Sequence, residues 1–225
     1  MRERLVIAID GPAGAGKSTA ARALAARLGY AYVDSGAMYR AVGLVARERG
    51  IDPADGAALG AVVAHLAITF RPGPEGQRVL LGGRDVTEAI RAPEAGEWAS
   101  RVAAVQAVRA RLVERQRGLG AEGGVVMDGR DVGTVVFPDA DCKFFLTASV
   151  EERARRRQAD VRAAGGADTL AATRQAVEDR DRRDRERAHS PLRPAADAIV
   201  VDTSTLTPAE VVERLLATVR ACARA

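Results

Sequence analysis

Residues 4–28 read RLVIAID, GPAGAGKST and AARALAARL without a break, and this succession restricts the fold more than any other feature of the chain. The first segment is a short apolar run suited to a strand buried on both faces, expected at 4–9. The last is rich in alanine and leucine and reads as a helix. Between them stands G-x-x-x-x-G-K-S, whose reading as a phosphate loop requires a strand before it and a helix after it. Gly11, Gly14 and Gly16 let the backbone turn tightly around an anion, while Pro12, Ala13 and Ala15 fill the turn with small groups. The helix N-terminus adds its positive dipole end. Lys17 is placed to reach the β- and γ-phosphates, the Ser18 hydroxyl to ligate Mg²⁺, and Thr19 to complete the wall of the loop. A nucleoside triphosphate is therefore expected in residues 11–19.

Composition sharpens this. Of 34 basic residues only Lys17 and Lys143 are lysine, and asparagine is absent. An arginine in this chain is thus weak evidence of phosphate binding by itself, whereas a lysine kept at position 17 marks a place where a compact ammonium fits and a broad guanidinium does not. The missing asparagine excludes the N-K-x-D segment with which a GTPase switch reads guanine. A net charge of +4 falls short of the basic face of a nucleic-acid binder, so no nucleic-acid partner is expected. Cys142 and Cys222 lie far apart in sequence without a CxxC, and His65 and His189 lack ligand spacing, which argues against zinc and disulfides. No signal-peptide pattern and no apolar stretch of transmembrane length appears. A cytoplasmic monomer with no membrane partner is expected.

Five apolar runs, 4–9, 30–33, 125–128, 142–147 and 198–202, alternate with helical stretches and predict an α/β fold with a five-stranded parallel sheet flanked by helices, the P-loop NTPase fold. Polar groups gather just past the carboxyl ends of two of these runs, where open parallel sheets place ligands. YAYVDSGAMYRAV ends a strand at Asp34 and continues through Ser35 into a helix bearing Tyr39 and Arg40. GGVVMDGRDVGTVVFPDA ends a strand at Asp128, placed to orient Mg²⁺ directly or through water, and continues to Arg130 and Asp131. Near the C-terminal end EDRDRRDRER is a run of charges at 178–187. Arg180, Asp184 and Arg187 are spaced i, i+4, i+7 and share a helix face, whereas Asp181 and Arg185 read as a separate solvent-exposed pair. These features suit a small-molecule kinase. A kinase for another acceptor, such as UMP, AMP or shikimate, and a nucleotide-binding regulator both stay open on the residues alone.

GPAGAGKST, DSGAMYR, DGRDVGTVVFPDA and EDRDRRDRERAHSPL occur in an order and spacing that resembles bacterial cytidylate kinase, over 4–220. The resemblance implies ATP as donor with Mg²⁺, and CMP or dCMP as acceptor. It implies a single P-loop kinase domain over 1–225, with a core of 1–59, 96–150 and 190–225, a monophosphate-binding insert at about 60–95 carrying short antiparallel strands (AITF, QRVLLGG, RDVTEAIR), and a helical lid at about 151–189. By the same resemblance Ser35, Tyr39 and Arg40 line the monophosphate site, Ser100 and Arg109 contact cytosine and substrate, and Arg130 holds phosphate. Asp131 faces the cytosine amine, and Arg180, Asp184 and Arg187 surround ribose and phosphate. Arg153 and Arg157 look like lid arginines over ATP, and Lys17, Arg130 and Arg187 like the groups that stabilise the transferring phosphoryl.

Overall fold

The computed structural model describes residues 4–73, 76–92, 94–163 and 165–222. In chain order its elements begin β1 (Val6–Asp10), α1 (Lys17–Leu28), β2 (Ala31–Asp34), α2 (Ser35–Glu48), α3 (Gly56–Ala64), β3 (Ile68–Gly73), β4 (Gly76–Leu81), β5 (Arg84–Asp85) and α4 (Ala95–Val102). They continue with α5 (Gln106–Leu119), β6 (Val125–Asp128), β7 (Cys142–Thr147), α6 (Val150–Ala163), α7 (Leu170–Glu186), β8 (Ile199–Asp202) and α8 (Pro208–Cys222). The chain divides into two compact units, Met1–Asp34 with Arg117–Ala225, and Ser35–Gln116.

The first unit holds a five-stranded sheet in the order β2-β6-β1-β7-β8, with every neighbouring pair parallel. Central β1 is buried along its whole length, which is why it reads as an unbroken apolar run and not as an alternation. Ile7, Ile9, Leu24, Phe144 and Leu215 join strands, α1 and α8 in one core, each contributing about 1.5–3 kcal/mol through burial. Buried Ala20, Ala21 and Ala25 form the inner face of α1, and Gly29 ends that helix in the left-handed region at φ 65°. The expected strands are present. β1 starts two residues later than its apolar run and ends one later, at Asp10, which keeps Phe145 as its register partner, and β2 ends at Asp34, opposite Asp128.

The second unit packs α2, α3, α4 and α5 around Met38, Val42, Leu59, Val63, Val102 and Leu112. Its antiparallel sheet has the order β3-β4-β5. RDVTEAIR contributes only the two residues of β5 to it. The Asp85 carboxylate accepts from both Thr87 N (2.9 Å) and Thr87 Oγ1 (2.6 Å), a local bond that competes with the ladder and turns the chain into a short 3₁₀ segment, Ala89–Arg91.

Candidate active site

The glycine loop joins β1 to α1 in the first unit. Gly11 has φ +144°, and a Cβ there would stand 1.9 Å from the Leu146 carbonyl oxygen of β7, so only glycine lets the loop leave the sheet here. Gly14 and Gly16 take φ near +80°. Lys17 is buried and donates from Nζ to Pro12 O at 2.6 Å. Burial, then the nearby Arg130, hold its pKa well below the ordinary lysine value. The neighbouring carboxylates of Asp128 and Asp10 favour its charge and offset these effects only in part.

Three carboxylates stand at the adjoining strand ends. Asp128 accepts from Ser18 Oγ at 2.8 Å and from Tyr32 OH at 3.0 Å. Burial, then the charge of Asp34, push its pKa up to about 6. Asp10, pushed up to about 7 chiefly by burial, accepts from Val132 N (2.8 Å) and Gly133 N (2.7 Å). It thereby holds the first turn of a π-helical segment, Val132–Val136, that follows directly on Asp131. Such segments are rare and recur at functional sites.

Beyond β6 the expected anion-binding residues come together. Arg130 Nε meets Asp184 Oδ2 at 3.0 Å, Arg180 Nε approaches the same oxygen at 3.9 Å, and Arg187 Nη2 lies 3.7 Å from Asp131 Oδ1. Burial alone would raise the Asp184 pKa. The charges of Arg130, Arg180 and Arg187 outweigh it and hold the carboxyl below its usual range.

Two readings of the charged run need correction. α7 ends at Glu186, and Arg187 caps it with φ −59° and ψ 137°, so Arg187 reaches Asp131 from the following turn and not from the helix face of Arg180 and Asp184. Asp181 is not at the surface. It is 2% exposed and pairs with Arg153, also 2% exposed, at 2.7 Å, while Arg185 stands in solvent 3.8 Å away. Arg153 also donates from Nε to Ala148 O (3.0 Å) and from Nη1 to Ala13 O (3.2 Å). Its guanidinium is therefore committed to protein acceptors, and it braces the loop through Ala13. Arg157 is half-buried on α6.

A cavity of about 330 Å³ opens beside the loop, lined by Gly16, Thr19, Arg156, Thr203, Leu206 and Val211 among others. Arg156 and Thr203 were not legible as site residues. Arg156 hides among the many arginines of α6, and Thr203 sits in a turn like any other. Asp10 had a signal, being the one charged residue at the end of an apolar strand that enters a glycine loop.

In the second unit, Ser35 opens α2, and Tyr39 and Arg40 follow on its next turn. Ser35, Tyr39, Ser100 of α4 and Arg109 of α5 are all buried. The Arg109 guanidinium lies 5.5 Å from the centre of the Tyr39 ring, a cation–π contact that orients a buried arginine at low cost, and Arg109 Nη1 is 3.4 Å from Ala103 O.

The sequence pattern of the cytidylate kinase family matches residues 7–221. The chain is 50% identical over 216 residues to the cytidylate kinase of Geobacter sp. (strain M21), covering 96% of this chain and 93% of that protein. It is 52% identical over 213 residues to the cytidylate kinase of Exiguobacterium sibiricum, covering 95% and 96%. It is also 52% identical over 216 residues to the bifunctional pantoate ligase/cytidylate kinase of Synechococcus sp. (strain JA-3-3Ab); there the match takes in 95% of this chain, which spans 40% of that protein's length. With a phosphate loop on a parallel sheet, an arginine–aspartate cluster past β6, and a family match along almost the whole sequence, the chain belongs to the cytidylate kinase family.

Proposed function

We propose that the chain transfers the γ-phosphoryl group of ATP to CMP or dCMP, giving CDP or dCDP and ADP. The observation that carries this reading is the placing of Lys17, Arg130, Arg180 and Arg187 in one unit with the glycine loop, in a chain of this family. A CMP phosphate is doubly ionised near pH 7, so an oxygen of it attacks the γ-phosphorus without a general base. The new P–O bond forms as the bond to the β–γ bridging oxygen breaks, and the electron pair leaves on ADP. The protein's task is to place both anions in line and to neutralise the three equatorial oxygens. Lys17, Arg130 and Arg187 supply that charge, and arginine suits it through its planar fork and permanent ionisation.

Ser18 and Asp128 fit a Mg²⁺ ion. Their oxygens lie 2.8 Å apart, and a hydroxyl beside a carboxylate offers the hard oxygen donors that Mg²⁺ takes. Among the described residues no group of three His, Cys, Asp or Glu side chains could hold a metal ion; Mg²⁺ commonly takes most of its ligands from phosphate and water. Bound there, Mg²⁺ would neutralise phosphate charge. Ser35, Tyr39, Arg40, Ser100 and Arg109 are the proposed acceptor contacts on the second unit, residues 60–95 the monophosphate-binding insert, and α6 with α7, within 151–189, the lid that excludes water. Arg157 is the proposed lid arginine, and the cavity lined by Arg156 and Thr203 receives the ATP nucleoside. One chain carries every residue invoked, so a monomer suffices. Cys142 and Cys222, far apart in sequence, meet in the fold through a side-chain hydrogen bond and are both free, and no helix among the described residues is long and apolar enough to cross a membrane.

ADP release measured with ATP and each of CMP, dCMP, UMP, AMP and shikimate tests the reading. CMP and dCMP should give the highest kcat/KM. Faster turnover with another acceptor would reassign the substrate, and no acceptor-dependent turnover would favour a nucleotide-binding regulator.

Base choice has its own test. A carboxylate at Asp131 accepts from the cytosine amine and repels the oxygen that uracil presents there, whereas an amide can also donate to uracil. Asp131→Asn should therefore lower the CMP-over-UMP ratio of kcat/KM by about 1–3 kcal/mol. An unchanged ratio would place base recognition elsewhere.

A further inference from the structure

Four consecutive carbonyls of the glycine loop have donors of their own. Pro12 O accepts from Lys17 Nζ at 2.6 Å, Ala13 O from Arg153 Nη1 at 3.2 Å, Gly14 O from Arg156 Nη1 at 3.4 Å, and Ala15 O from Thr203 Oγ1 at 3.2 Å. In a planar trans peptide the C=O of one residue and the N–H of the next point in opposite directions. Fixing carbonyls 12–15 therefore fixes the N–H groups of residues 13–16, the donors that would wrap a triphosphate. Donors held in place before the ligand arrives spend no free energy on reorganisation.

Thr203 ties this arrangement together. It is 2% exposed and follows β8 directly. Its backbone N–H donates to Thr147 O at 2.8 Å, and its carbonyl accepts from Arg156 Nη2 at 2.7 Å. Its hydroxyl accepts from Arg156 Nη1 at 3.0 Å and shares one proton between Ala15 O (3.2 Å) and Thr147 O (3.1 Å). One small side chain thus connects the end of β7, an arginine of α6 and the loop.

We propose that Thr203 is a positioning residue for phosphoryl transfer: through Ala15 O and Arg156 it aims the loop's backbone donors at the phosphates. This rests on the triphosphate-binding reading of the loop. Thr203→Val keeps the shape of the side chain and removes the hydroxyl, leaving Ala15 O and Arg156 Nη1 short of a partner.

Inorganic tripolyphosphate is the decisive probe, because it has no base or ribose to touch Thr203 from the cavity. Calorimetric titration well below the melting temperature should show Thr203→Val binding tripolyphosphate and ADP about tenfold more weakly, the size of one hydrogen bond's net contribution. The KM for CMP should stay unchanged, and Thr203→Ser should restore both affinities to within about twofold of wild type. If Thr203→Val melts lower yet binds tripolyphosphate like wild type, its role is structural and the proposal fails. If only ADP loses affinity, Thr203 contacts the nucleoside and the proposal also fails. Lys17→Ala is run beside them. Tripolyphosphate binding that survives Lys17→Ala would overturn the loop reading itself, whereas loss in Lys17→Ala with none in Thr203→Val would overturn only the role of Thr203.

Discussion

Lys17→Met is expected to lower turnover about 10³-fold and yet to make the ligand-free protein more stable. The first effect follows from removing a fixed cation beside the transferring phosphoryl group, which costs roughly 10²–10³ or more in comparable sites. The second follows from the state of Lys17 without ligand. It is buried, its one hydrogen bond is to Pro12 O, and burial with Arg130 depresses its pKa. Methionine has a similar length and carries no charge to desolvate, so a melting temperature higher by roughly 2–4 °C is expected, equivalent to about 1 kcal/mol in a chain of this size. The sign of the pH dependence follows by linkage. Lys17 binds its proton more weakly when folded than when unfolded, so its cost is fully present below the depressed folded pKa and disappears as pH rises toward the ordinary 10.5. The advantage of Lys17→Met over wild type should therefore shrink across that range. Wild-type turnover in the variant would sink the active-site assignment. A variant less stable than wild type near neutral pH would sink the electrostatic reading while leaving the site intact.

The same contrast explains which parts of the molecule were legible in the sequence. The strand–loop–helix at residues 4–28 imposes several independent requirements at once: an unbroken apolar strand, glycines at positive φ, a single lysine. Chance satisfies them together rarely, and the five parallel strands stand where their apolar runs indicated. β5 was less legible, because RDVTEAIR has strand-forming residues but Asp85 captures Thr87 locally. The charged run misled in a more instructive way. The helical period holds for Arg180 and Asp184 but stops at Glu186, one residue short of Arg187. Thr173, Val177, Asp181 and Asp184 are the buried residues of α7, spaced i, i+4, i+8 and i+11. Continued backward through Thr173 and Val177, the period would have marked Asp181 as the charged end of a buried stripe. Arg153 left no comparable trace, since its burial depends on a partner 28 positions away and on the loop carbonyl it meets.

That buried pair supports the largest stability prediction. Asp181→Ala should destabilise the protein by about 3–5 kcal/mol, because it strands a guanidinium that is 2% exposed and keeps only the carbonyls of Ala148 and Ala13 as partners. Thermal unfolding should fall by roughly 10 °C. Arg185→Ala, on the same helix and 3.8 Å from the same carboxylate, should be nearly silent, because Arg185 is exposed and its ion pair is screened by solvent. Replacing both buried partners, Arg153→Met with Asp181→Leu, removes the charges together and should recover most of the lost stability. It should not recover nucleotide affinity, since the donor to Ala13 O is gone and the loop loses one of its braces. A double variant that regained both stability and ADP affinity would show that Arg153 serves only the packing of α6 on α7. Equal destabilisation by Asp181→Ala and Arg185→Ala would show that Asp181 is solvated after all. The expected outcome separates the two functions of one arginine: its charge is balanced by Asp181, and its geometry is used by the loop.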